Sequence, residues 1–296
     1  MKLSASIVLY NTKTEDLKRV INSYFSYKGE KQLFLIDNSP TDRLKEIVKV
    51  YPNNNIYYIF NNENMGYGKA HNIAIKKSIE QNLPYHIILN PDIIIEKDVL
   101  EKLANYMELH PEVGNIMPKI IYPDGELQYL CKLLPSPIDL IFRRFIHIKK
   151  WKDAINRKYE LHSFGYDKIM NIPNLSGCFM FLRTEALKKV GLFDENIFMY
   201  LEDIDLNRRI FSKYKTIYYP DATVIHEHQK ESYKNKKLLP VIAVLTVIFG
   251  SGYYAINIFS NSDRSIFYQA SAANPTNPAT ADNSYIVEFQ DTNFKK

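Results

Sequence analysis

The residues with the most chemical potential are acids set at the ends of apolar runs. Asp92 follows His86-Ile87-Ile88-Leu89 and the turn Asn90-Pro91. Far along the chain stand Glu202, Asp203 and Asp205, just after Phe198-Met199-Tyr200-Leu201. An acid at a strand end suits a hard divalent cation held by oxygen ligands. A second, remote acid suits a general base acting on a hydroxyl. Together they fit a displacement that expels a charged diphosphate while deprotonating the incoming nucleophile. In a helix, Glu202 and Asp205 are three residues apart and share a face, while Asp203 points about 100° away, so not all three face one ligand. Each acid also has an ordinary alternative, as a helix N-terminal charge complementing the dipole. His226, with His228 close behind, adds a possible late ligand or a plain surface imidazole.

The elements that must carry these residues are legible from periodicity. Residues 4–10, 33–36, 56–60 and 86–89 are short apolar runs that read as strands. Between them lie helical patterns: Leu17, Val20, Ile21 and Tyr24, with Thr14 as a candidate cap; Leu44, Ile47 and Val48; and Ala70, Ile73, Ala74 and Lys77. Repeated strand–helix alternation predicts an α/β fold with a mostly parallel central sheet and flanking helices. Ligands in such sheets bind beyond the carboxyl ends of the strands. Those ends carry Asp37-Asn38-Ser39, the loop Asn61 to Gly66, and Asn90-Pro91-Asp92. After a less regular middle, residues 177–182 read as a buried strand, 184–190 as a short helix closed by Gly191, and 216–219 as a last strand.

Bulk properties narrow the class. A net charge of +5 is too mild to argue for nucleic acid, and no nucleic-acid-binding motif is present. Cys131 and Cys178 lack metal-site spacing and suit free thiols in a reducing compartment. The first residues run straight into a strand rather than a secretory signal, so the main body is expected in the cytoplasm. Two segments suit a membrane face. Residues 138–152 mix apolar, aromatic and basic side chains, as an interfacial helix or an ordinary surface helix does. Residues 238–259 carry no charge and are long enough to span a bilayer, with Lys230, Lys234, Lys236 and Lys237 just before them. The expected organisation is therefore a catalytic domain over 1–237, a hydrophobic helix over 238–259 and a polar tail over 260–296.

Several ordered motifs carry a family resemblance: Ile7-Val8-Leu9-Tyr10-Asn11, Ile36-Asp37-Asn38-Ser39, Asn64-Met65-Gly66-Tyr67-Gly68, Leu89-Asn90-Pro91-Asp92, Ser176-Gly177-Cys178-Phe179-Met180, Gly191-Leu192-Phe193-Asp194-Glu195, Phe198 to Leu206, and His226-Glu227-His228. On these, residues 3–237 resemble glycosyltransferase family 2, especially its bacterial rhamnosyltransferase-like members. The resemblance implies a nucleotide-diphospho-sugar transferase (GT-A-like) fold and an inverting single displacement onto a glycan or lipid-linked acceptor at the cytoplasmic face of the cell membrane. It implies Asp203 as base with Glu202 as runner-up, Asp37 as a base or ribose contact, and Asn38 and Ser39 shaping the same loop. Asn64 and Gly66 become the loop over the nucleotide. Asn90-Pro91-Asp92 stands where the family often has Asp-x-Asp, so Asp92 inherits the divalent metal (Mg2+ or Mn2+), with His226 as a late ligand. Arg209 is a candidate diphosphate contact.

Other classes fare less well. A nucleotidyltransferase wants a glycine-rich loop after the first strand, where this chain has Asn11-Thr12-Lys13-Thr14. A dinucleotide oxidoreductase wants a third glycine after Gly66-x-Gly68. A non-catalytic sugar-nucleotide-binding or scaffold protein stays open on sequence alone.

Overall fold

Strand β1 (Lys2–Leu9) is almost wholly buried, and it lies at the centre of the parallel half of the sheet. The computed structural model describes residues 2–52, 55–134 and 156–227, and the backbone of 269–270 and 287–290. From β1 the chain runs through α1 (Thr14–Phe25), β2 (Glu30–Asp37), α2 (Ile47–Val50), β3 (Ile56–Phe60), α3 (Tyr67–Glu80) and β4 (Tyr85–Leu89). There follow β5 (Ile93–Ile95), α4 (Val99–Leu109), β6 (Val113–Ile121), β7 (Cys131–Lys132), β8 (Met170–Asn171), β9 (Asn174–Leu175) and β10 (Phe179–Arg183). The order continues with α5 (Thr184–Val190), α6 (Glu202–Phe211) and β11 (Lys215–His226). A second unit contains the short antiparallel pair β12 (Gln269–Ala270) and β13 (Val287–Gln290).

Strands β3, β2, β1 and β4 run parallel, as the alternation predicts. The other half is mixed. β10 lies antiparallel between β4 and β6, β11 runs parallel to β6, and β5 and β8 pair antiparallel with β11. β7 and β9 form a separate two-stranded ribbon. The switch from parallel to antiparallel at β4/β10 sets Leu89 opposite Phe179. The turns at Asn90 and Gly177 therefore emerge side by side, which places Asp92 near the loop before β10.

Helix α1 forms on the predicted apolar stripe, but Lys13 is its cap residue and Thr14 is already helical, so the Thr14 cap is not made. The helix expected around Leu44 shrinks to the single turn α2, although Leu44 and Ile47 are both buried. The last strand is longer than 216–219, because β11 continues past an irregularity between Tyr219 and Thr223 to His226.

Two apolar clusters fix the helices that bear the site. Phe34, Ile36, Ala70 and Ala74 seat α3 on β2. Ile75, Ile88, Met180, Leu182, Leu187, Phe193, Leu206 and Ile210 seat α3, α5 and α6 against β4 and β10. Full burial contributes about 1.5–3 kcal/mol per large side chain before entropy is counted. Leu206 and Ile210 are thus the anchors that hold the N-terminus of α6, with Glu202 and Asp203, in place. Under the same sheet lies a polar core. The Ser4 hydroxyl meets Ser78 Oγ and His86 Nδ1, and the Ser6 hydroxyl meets His71 Nδ1 and His86 Nε2, all within 2.7–2.8 Å. Burial pushes His71 far down and His86 down to about 3, so both imidazoles stay neutral within this network.

Among the described residues no helix is long and apolar enough to cross a membrane. The predicted segments 138–152, 238–259 and most of 260–296 lie outside the described residues, as does the expected boundary at 237.

Candidate active site

Tyr67, the first residue of α3, stands at the meeting point of the chemistry-bearing loops. Its hydroxyl lies 2.8 Å from the Gly177 carbonyl and 3.1 Å from Asn90 Oδ1. Gly177 N–H in turn donates to Asp203 Oδ2 at 3.0 Å, and Asp203 Oδ1 accepts from the Ile204 amide at 2.8 Å. Asp203 is half-buried and both its oxygens are engaged, so the carboxylate is fixed at the start of α6. Glu202 is buried to 6% exposure, and its Oε2 has no hydrogen-bond partner among the described residues. Burial, helped by the charge of Asp203 and opposed by its own amide, pushes the Glu202 carboxyl up to about 7. Asp205 faces elsewhere, bound by Arg208 and Arg209.

On the other side of Tyr67, Asp92 Oδ1 lies 3.3 Å from His226 Nε2. Gln128 Oε1 is 3.0 Å from His226 Nδ1, and Gln128 Nε2 donates to the His226 carbonyl at 2.9 Å. This orients the ring so that Nε2 is the atom turned to Asp92. The Glu227 amide donates to the Asp92 carbonyl, which locks the two segments together. Burial disfavours the His226 cation, but the adjacent Cys178 and Asp92 outweigh it and push the imidazole up to about 10. Burial, with smaller contributions from the neighbouring Cys178, Glu202, Asp203 and Asp92, pushes the Tyr67 hydroxyl well above its ordinary value.

The residues around Asp92 fit a divalent cation. Adjacent ligands of an octahedral ion with bonds of 2.0–2.1 Å stand about 3 Å apart, close to the Asp92–His226 spacing. Among the described residues no cluster of three or more His, Cys, Asp or Glu side chains exists. A cation here would take Asp92 and, by displacing its imidazolium proton, His226 as protein ligands, and complete its shell with diphosphate oxygens and water.

The nucleotide-side residues also come together. Asp37 is fully buried, its Oδ1 accepting from the Ser39 amide at 2.8 Å and its Oδ2 from the Tyr58 hydroxyl at 2.5 Å. Both oxygens are therefore occupied in shaping the loop. Asn38 bridges Asn61 at 2.8 Å, Asn64 at 3.4 Å and the Gly66 carbonyl at 3.0 Å. Ser39 Oγ accepts from the Asn11 amide at 2.9 Å. Gly66 has φ +87°, and a Cβ there would sit 2.3 Å from the Phe198 carbonyl oxygen, so only glycine lets this loop meet the segment leading to α6.

Arg209 does not join them. Its guanidinium is occupied by Asp205 and by the carbonyls of Val190 and Leu192, at 2.7–2.9 Å, where it ties α6 to the end of α5. These contacts suit the alternative reading of Arg209 as an ordinary helix-surface arginine. Residues that sequence reasoning gave no role include Gln128 and the Tyr67 hydroxyl. Tyr67 was visible only as part of a glycine motif, and Gln128 sits in the irregular middle with no periodic or motif signal.

The comparisons with known proteins meet this geometry. The model named Glycosyl transferase family 2 matches residues 4–191. The chain belongs to glycosyl transferase family 2. Within the family it is 29% identical over 208 residues to the N-acetylglucosaminyl-diphospho-decaprenol L-rhamnosyltransferase of Mycobacterium tuberculosis (strain H37Rv), covering 66% of each chain. It is 27% identical over 239 residues to rhamnosyltransferase WbbL of Escherichia coli (strain K12), covering 78% of this chain and 86% of that one. The fold is similar to that of GalNAc-T7 crystallised with UDP, GalNAc and Mn2+, at a TM-score of 0.57 and 17% identity, covering 76% of this chain and 43% of that one. The match thus spans about two thirds of the mycobacterial relative's length and less than half of GalNAc-T7. The GT-A-like fold expected from the family 2 resemblance is the fold observed.

Proposed function

We propose that this family 2 protein transfers rhamnose from a nucleotide-diphosphate donor to a glycan or lipid-linked acceptor, with inversion, at the cytoplasmic face of the cell membrane. The observation that carries the reading is the single hydrogen-bonded cluster that joins Asp203 through Gly177 and Tyr67 to Asn90, two residues from Asp92. Asp203 takes the proton of the acceptor hydroxyl. The freed oxygen attacks the anomeric carbon, the bond from that carbon to the diphosphate breaks, and the nucleoside diphosphate leaves with the electron pair. Asp92 and His226 would hold a divalent cation, which when bound supplies positive charge against the leaving diphosphate. Asp203 suits the base role better than Glu202, because Glu202 is only 6% exposed whereas Asp203 is half-buried and open to an acceptor hydroxyl. Rhamnose as the sugar is supported by the activities of both rhamnosyltransferase relatives, and a lipid-linked acceptor by that of the mycobacterial one.

The test is a panel of sugar nucleotides with purified full-length protein, scored for transfer and for slow donor hydrolysis. The reading expects turnover with a rhamnose donor and a loss of about 10²–10⁴-fold in kcat for Asp203→Asn. Binding of donors without any turnover would instead mark a non-catalytic sugar-nucleotide protein.

A further inference from the structure

We infer that Tyr67 is a positioning residue whose hydroxyl sets the catalytic carboxylate against the donor-side loop, an inference that rests on the proposed function. Five contacts make it the hub. Its amide donates to the Phe198 carbonyl at 3.1 Å and so holds the segment that leads into α6. Its hydroxyl reaches the Gly177 carbonyl, and the amide of that same residue holds Asp203 Oδ2. The same hydroxyl reaches Asn90 at the end of β4, and its ring packs edge-on against His71 at 4.4 Å and more distantly against Phe193 at 6.4 Å. The ring is thereby rooted in the core while the oxygen bridges Gly177 and Asn90.

The bonding is directional. A phenol has one proton, so it cannot donate fully to both Gly177 and Asn90. The shorter contact, to the Gly177 carbonyl at 2.8 Å, is the stronger one, and Asn90 Oδ1 at 3.1 Å shares the same proton. Tyr67 thus donates to the carbonyl of Gly177, and the amide of Gly177 donates to Asp203. Gly177 cannot drift without breaking the chain at both ends. Burial keeps the phenol protonated, so it serves as a fixed strut rather than as an acid or base.

Tyr67→Phe tests this, because it removes the oxygen and keeps the ring contacts with His71 and Phe193. Donor affinity by calorimetry, melting temperature, and kcat for transfer are measured on the full-length protein, with Asp203→Asn alongside. The expected result is a kcat lowered about ten- to a hundred-fold, the cost of sub-ångström misplacement of a base, with donor Kd within about two-fold and kcat falling more than the melting temperature accounts for. A Tyr67→Phe enzyme with wild-type kcat overturns the inference, as does a loss that appears wholly in donor Kd or wholly in the folded fraction. Failure of the underlying reading looks different: wild-type protein that transfers no sugar, or Asp203→Asn that transfers as well as wild type.

Discussion

At the residue scale, the two acids that share the start of α6 are set apart by their surroundings. Asp203 accepts two backbone N–H bonds, whereas Glu202 is sealed beneath it. The consequence is a pH-dependent stability. Glu202 is raised from 4.5 to about 7 in the folded protein, so folding favours its neutral form. The sign follows: this stabilisation is whole below pH 4.5, declines as pH rises toward about 7, and is lost above it. The amount is about 3 kcal/mol at 1.36 kcal/mol per pH unit. Melting curves between pH 5 and pH 8 are expected to fall for the wild type, and Glu202→Gln to fall less over the same range. Parallel curves for the two would remove the buried-acid account of Glu202. Asp92→Ala is expected to weaken donor binding in the presence of manganese and to leave the metal-free titration little changed, as calorimetry with and without manganese reads directly. Arg209→Ala belongs to a different class. Its contacts are to Asp205 and to carbonyls at the end of α5, so it is expected to cost about 1–3 kcal/mol of stability while donor Kd stays unchanged.

At the scale of elements, the parallel half of the sheet was readable because each of its strands is a short buried apolar run separated by an amphipathic helix. Leu17, Val20, Ile21 and Tyr24, the predicted face of α1, are all buried. The antiparallel insertion of β10 was not readable, since a buried strand such as Phe179–Arg183 gives no periodic clue to its direction. That insertion is what brings Gly177 to Asn90 and makes the site. The acids and glycines of the site were legible as motifs, because their chemistry restricts residue type. Tyr67 and Gln128 were not, because an aromatic at a helix start and a glutamine in an irregular stretch have many ordinary uses. Gly66 shows how tightly the elements meet. Gly66→Ala would place an L side chain at φ +87° against the Phe198 carbonyl. It is expected to destabilise the protein by about 2–4 kcal/mol, from left-handed strain and overpacking together. A melting temperature equal to wild type would mean that the segment Phe198–Leu201 can move away freely.

At the scale of the molecule, hydrogen bonds and an ion pair link six separated stretches, 37–39, 64–67, 90–92, 177–178, 202–203 and 226. The central claim is that Asp92 with His226 and Asp203 with Gly177 flank one donor. Its most direct test is a crystal structure of the full-length Asp203→Asn protein soaked with intact donor and manganese, since that variant should hold the donor without consuming it. The account predicts diphosphate oxygens at Asp92 and His226, with the anomeric carbon lying between them and the side chain at 203. Electron density for the donor away from either of these carboxyl-bearing loops, or reaching only one of them, would contradict it.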